Sequence, residues 1–112
     1  MTSALITHPS CLAHKTPPGH PESPERLMAV LDTLKTLEFQ QLVEIEAARA
    51  RRRDLARCHT SGLLDFILRD AAKATRQRGF VGIDSDTFIC ADSAEAALRA
   101  ACLLYTSDAA DE

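Results

Sequence analysis

Histidine, cysteine and paired aspartates are the residues here that could do chemistry. His8, Cys11 and His14 stand at H-x2-C-x2-H spacing, and His20 follows six residues later. Imidazole and thiolate are the ligands that tetrahedral zinc prefers. The spacing is not that of a zinc finger, and no cysteine pair completes a set of four. Histidines bonded within a loop are the plainer reading. Asp84 and Asp86 lie two apart in FVGIDSDTFIC, positions 80–90. They are either metal carboxylates or loop formers. The segment lacks the glycine and the distal glutamate of an EF-hand loop, and aspartates bonding their own backbone would account for it. A glycine-rich phosphate loop, a nucleophile elbow and an HExxH helix are all missing from the sequence. No complete catalytic set is present, so no catalytic or metal-ligating residue is assigned.

The elements that must hold these residues can be read in order. HKTPPGHPESPER, positions 14–26, has four prolines and a glycine in thirteen residues. Proline fixes φ, removes a donor and pushes its predecessor out of the α region. The whole span from His8 to Ser23 is expected to be a stiff loop, able to carry function or to serve as a surface connector. It ends in a helix start: Ser23 as N-cap, Pro24 at the first helical position, Glu25 in the first turn. Leu27, Val30, Leu31, Leu34 and Leu37 then recur at helical spacing, which predicts a helix to about Leu37.

Ser3–Thr7 reads as a first strand, and alternation over Leu42–Glu46 as a second, half-buried one. Alanines, arginines and Leu55 predict a short helix over Ala48–Arg57. Leu63, Leu64, Ile67 and Leu68 predict another, stopped near Gly79. Phe80–Cys90 reads as a strand entering an acidic loop. Asp92–Glu95 (DSAE) is a capping box for a helix with Ala96, Ala97, Leu98, Ala100 and Ala101. The order β-α-β-α-α suits an α/β layer architecture.

Composition narrows the function classes. The chain has 112 residues, 46% of them hydrophobic, and a net charge of −3. That length suffices for one small domain or a piece of a larger one. Arg49, Arg51, Arg52 and Arg53 are the one dense basic run, and such a run is usually a solvated helix face. There is no tryptophan and only 4% aromatic content, which argues against base-stacking platforms. No nucleic-acid or membrane partner is expected. No apolar run reaches the length of a membrane span and the N-terminus lacks a signal-peptide pattern. With no CxxC pair among its four cysteines, the chain is expected to be cytoplasmic with reduced thiols.

Taken together, THPSCLAH (7–14), GHPESPERL (19–27), LARCHTSGLLDFI (55–67), GIDSDTF (82–88) and SAEAALRAA (93–101) resemble the histone deacetylase family. The likeness is closest to its class II, acetoin-utilisation and acetylpolyamine amidohydrolase branches. The resemblance implies an incomplete α/β fold, the N-terminal part of a parallel-sheet (arginase/deacetylase-like) domain over residues 1–102. It implies a zinc hydrolase cleaving acetyl-lysine or acetylated polyamines. The family's zinc ligands, histidine pair and oxyanion tyrosine have no counterparts in these 112 residues. The resemblance therefore implies zinc in the complete protein, none bound by this stretch, and no activity from it alone. It maps His20 and Pro21 to a substrate-binding loop, Asp86 to a rim aspartate that holds the substrate backbone, and Arg26 to an inner channel. Arg26 is expected to point inward despite its charge. LLYTSDAADE, positions 103–112, departs from the family and reads as a non-family tail of the kind a translated sequencing adapter leaves. The residues by themselves also allow a small non-enzymatic interaction module or a His/Cys metal-binding domain.

Overall fold

The fold begins from a parallel strand pair. In the computed structural model, which describes the backbone of residues 3–111 and side chains up to 103, β1 (Ala4–Thr7) pairs with β2 (Val43–Glu46). Register runs from Ala4↔Val43 to Thr7↔Glu46. The ladder is extended by Val43 N–H to the Ser3 carbonyl (3.0 Å) and Ala47 N–H to the Thr7 carbonyl (2.8 Å). Parallel strands need a long crossover. Helices α1 (Ser10–Ala13) and α2 (Pro24–Leu34) supply it.

Helix α1 lies inside the span expected to be loop. SCLA contains no proline, and Pro9 already has a helical φ of −56°. Cys11 and Leu12 N–H groups donate to the His8 and Pro9 carbonyls at 3.0 Å. The rest of the span stays irregular. Pro17-Pro18-Gly19-His20 closes a turn with His20 N–H on the Pro17 carbonyl (3.1 Å), and Gly19 takes a φ of +86°. That positive φ after a proline is what a type II turn demands, and glycine supplies it without strain.

Three other boundaries differ from the sequence pattern. Helix α2 stops at Leu34. Thr36 returns to an extended conformation, and Leu37 sits in a 3-10 turn with 82% exposure. Helix α3 is only Arg52–Leu55, because Ala47–Ala50 is drawn out by tertiary bonds. Ala50 N–H donates to the Leu98 carbonyl at 3.1 Å, and Arg49 pairs with Glu95. Helix α4 (Ser61–Gln77) starts at Thr60, whose hydroxyl accepts Leu63 N–H, and ends with Arg78, not Gly79, in the left-handed conformation. Phe80–Cys90 is a hairpin, β3 (Val81–Gly82) antiparallel to β4 (Phe88–Ile89), with the aspartates in its loop.

Helix α5 (Ser93–Asp111) runs beside α1, β1 and α4. Its backbone continues through the stretch read as a non-family tail, whose side chains from position 104 lie outside the described residues. Glu95 does not close the expected capping box. It turns instead to Arg49 and to Arg99, whose Nε–H donates at 2.9 Å.

The described core is thin. Apart from Leu64 and Ile89, its buried apolar members are alanines (47, 71, 74, 96) and cysteines (90, 102). Both faces of a parallel sheet are normally covered, yet Val43 and Ile45 are exposed here. A groove of about 450 Å³ lined by Leu55, Leu63, Leu64, Ile67, Leu68 and Leu98 also stays open. The chain exposes 8030 Å², against roughly 6,000 Å² for a compact monomer of this mass. Its radius of gyration is 15.6 Å, against about 13 Å for a globule of this length.

Exposed apolar faces of this kind drive association. On heating, the 112-residue chain should lose its helical circular dichroism over a broad range, and its light scattering should rise with concentration. A sharp, concentration-independent transition of a monomer would contradict this picture.

Candidate functional site

The proline-rich loop and the aspartate loop meet. His20 Nε2 lies 3.0 Å from Asp86 Oδ1 and 3.1 Å from the Asp86 carbonyl, across 66 residues of sequence. The ring also stands edge-on to Phe88 at 5.6 Å and 84°. The imidazole is covered, with 12% of its side chain exposed, whereas the Asp86 carboxylate is 81% exposed. A covered donor thus anchors a carboxylate that faces solvent.

Each partner is set locally. Glu22 N–H donates to His20 Nδ1 at 3.1 Å. Pro21 lies between them and offers no N–H of its own. On the other loop, Asp84 Oδ1 accepts Asp86 N–H at 2.8 Å. That bond, then the Thr87 side chain, holds the Asp84 carboxyl below the ordinary aspartate range. Asp84 is therefore the loop former, and the Asp86 carboxylate, held by His20, faces solvent.

Two more histidines tie the same loop down. His14 Nδ1 and Ser93 Oγ share a hydrogen at 2.7 Å, and His14 Nε2 lies 3.3 Å from Glu22 Oε1. Ser93 Oγ accepts Cys90 N–H at 2.8 Å, and the Cys90 thiol accepts Lys15 N–H at 3.3 Å. His8 Nδ1 accepts Ser10 N–H at 3.0 Å, while its Nε2 pairs with Glu46 at 3.2 Å. Three imidazoles thus reach three different elements: β2, the start of α5 and the aspartate loop. The residues diverge, and among the described residues no three His, Cys, Asp or Glu converge to hold a metal ion. Sequence reasoning missed His14 and Ser93 as a joined pair, because nothing local links positions 79 residues apart.

Arg26 does not point inward. It is exposed on the first turn of α2: its backbone N–H donates to the Ser23 carbonyl at 3.3 Å, and its guanidinium makes no hydrogen bond or ion pair with the described residues. An unpaired guanidinium keeps its hydration where no carboxylate or carbonyl replaces the water. Ser23 takes the N-cap position as expected, but its side chain makes no cap bond.

These loops, carried on a βαβ unit, belong to a recognisable class. A sequence model of the histone deacetylase domain matches residues 20–110, so the chain belongs to the histone deacetylase family. A probable deacetylase of Archaeoglobus fulgidus is 31% identical over 89 residues, 77% of this chain and 24% of that protein. An uncharacterized protein of Methanocaldococcus jannaschii is 28% identical over 96 residues, 86% of this chain and 26% of that protein. The crystal structure of the HDA15 HD domain superposes with a TM-score of 0.76 at 25% identity, covering 92% of this chain and 30% of that one. The fold is an incomplete α/β deacetylase domain. The chain spans about a quarter of the length of the curated relatives it matches.

The Asp84 bond has a sign in pH. A carboxyl held below its unfolded value contributes stability that is complete above that value and is lost as pH falls through the folded one. In Asp84 this places the loss at the acid end, below about pH 4. The Asp86 amide proton should shift on acidification with a midpoint lower than that of an exposed aspartate. Asp84→Ala should abolish that titration and loosen the loop, whereas Asp86→Ala should not loosen it. An Asp86 amide that ignores the loss of Asp84 would refute the assignment.

Proposed function

We propose that this chain is the N-terminal part of a zinc-dependent amidohydrolase that removes acetyl groups from lysine side chains or acetylated amines. The observation that carries the reading is the meeting of the His20-Pro21-Glu22 loop with the Asp86 loop. It occurs in a chain that matches a deacetylase domain. Zinc in such an enzyme polarises the amide carbonyl and lowers the pKa of a bound water. Its ligands would come from residues outside this chain, so no step of that chemistry is assigned to the residues described.

What this chain contributes is the rim. An ionised carboxylate accepts several hydrogen bonds at once, so Asp86 can take consecutive backbone N–H groups of an acetylated peptide. Such a hold would orient the scissile amide, and orientation is a substantial part of barrier lowering. His20 and Pro21 form the adjoining wall. An acetylated polyamine would meet the same carboxylate through its ammonium groups.

The reading makes two measurements decisive. Acetate release from an acetyl-lysine peptide should be at the buffer rate with the 112-residue chain and zinc, and well above it with the complete protein. In the complete protein, Asp86→Asn should lower kcat/KM for peptides about tenfold, a loss of the size expected for charge-assisted hydrogen bonds. Turnover by the short chain that survives repurification, or a silent Asp86→Asn, would sink it.

Arg26 tests the channel role that the family resemblance implies. That role requires other parts of the protein to cover the first turn of α2. In the complete protein Arg26→Ala should then lower kcat more than it raises KM. Unchanged kcat would leave Arg26 a solvated helix residue.

A further inference from the structure

We infer that His20 is a positioning residue for Asp86, and that the peptide N–H of Glu22 sets it to that task by choosing its tautomer. The inference rests on the deacetylase reading for its consequence in catalysis, but its structural half stands on the geometry alone. A neutral imidazole has one donor and one acceptor nitrogen. Nδ1 accepts Glu22 N–H at 3.1 Å, so the proton sits on Nε2. That N–H points at Asp86, where Oδ1 at 3.0 Å and the carbonyl at 3.1 Å share it.

The arrangement is locked from several sides. The turn at Pro17–His20 sets where His20 leaves the backbone. Pro21 has no N–H, so Glu22 supplies the first donor after His20. Phe88 covers the ring edge-on. From the aspartate loop, Asp84 takes Asp86 N–H at 2.8 Å. The Asp86 peptide is therefore gripped at its N–H by Asp84 and at its carbonyl by His20. Its side chain is held at Oδ1, while Oδ2 bonds to no described residue. A carboxylate held at one oxygen and open at the other presents a fixed direction to an incoming N–H. Without His20 it would rotate freely about χ2, and a bound peptide would have to order it.

The test has two arms. The first reads the imidazole in the complete protein, labelled with 15N in the histidine ring, at a pH where histidine is neutral. The expected spectrum has a protonated Nε2 and an unprotonated Nδ1 for His20, and Asp86→Ala should shift the Nε2–H resonance and speed its exchange. A proton on Nδ1, or an Nε2–H indifferent to Asp86→Ala, overturns the inference. The second arm uses the complete protein. His20→Ala should lower kcat/KM for an acetyl-lysine peptide by roughly five- to tenfold, since a displaced Asp86 loses both its hold on the peptide and the orientation of the scissile amide. His20→Gln keeps an N–H donor at similar reach and should recover most of the loss. Equal losses in both variants, or no loss in His20→Ala, overturn the inference. If the wild-type complete protein releases no acetate, the deacetylase reading fails, and the imidazole spectrum still decides whether His20 holds Asp86.

Discussion

A loop with four prolines in thirteen residues cannot hold itself in place. Each proline removes an N–H, so the usual backbone bonds of a turn or strand are scarce. Side chains have to supply the anchorage. Histidine suits the task because one ring offers an acceptor and a donor on opposite sides. His14 and His20 each bridge two partners, and Glu22 serves both through its carboxylate and its N–H. These bonds tie the loop to the start of α5 and to the aspartate hairpin.

The same economy appears in the first turn of α5. Arg99 donates to Glu95 and to the Ala47 carbonyl at 2.9 Å, and Glu95 also takes Arg49. Those two arginines hold the Glu95 carboxyl below its ordinary range. The stretch after β2 is thereby fastened to α5 and prevented from coiling. Asp54 works alike on a smaller scale: it accepts the Arg51 side chain at 3.1 Å, and its carboxyl is also held low. Exposed ion pairs contribute little stability individually. Their value here is geometric, since they choose which segments lie side by side.

A thin core makes such bonds matter. Alanine and cysteine let helices approach closely but remove little apolar surface from water, at about 25 cal/mol per Å². Leucines that would add to the core line an open groove between α3, α4 and α5 instead. The relatives are about four times as long as the matched stretch. An open sheet face and an open groove are what one layer of a larger α/β domain would present.

Local chemistry determined much by itself. Proline spacing determined a rigid loop ending in α2, and the leucine periodicities determined α2 and α4. The run of family-like motifs identified the family, and the GIDSDT segment marked a loop in which one aspartate serves the backbone. These are matters of φ restriction, side-chain period and hydrogen bonds two residues apart, all legible over short distances. What only the tertiary structure decided depends on partners far away in sequence. Ala48–Ala50 has helical propensity yet lies extended, because Leu98 and Glu95 claim its donors. SCLA coils where a loop was expected, Leu37 falls outside its helix, and Arg26 faces water because nothing described here covers that turn. His20 reached Asp86, and His14 reached Ser93, through contacts that span 66 and 79 residues. No periodicity encodes such a meeting; it exists only when the parallel strands and α5 have set the two loops face to face.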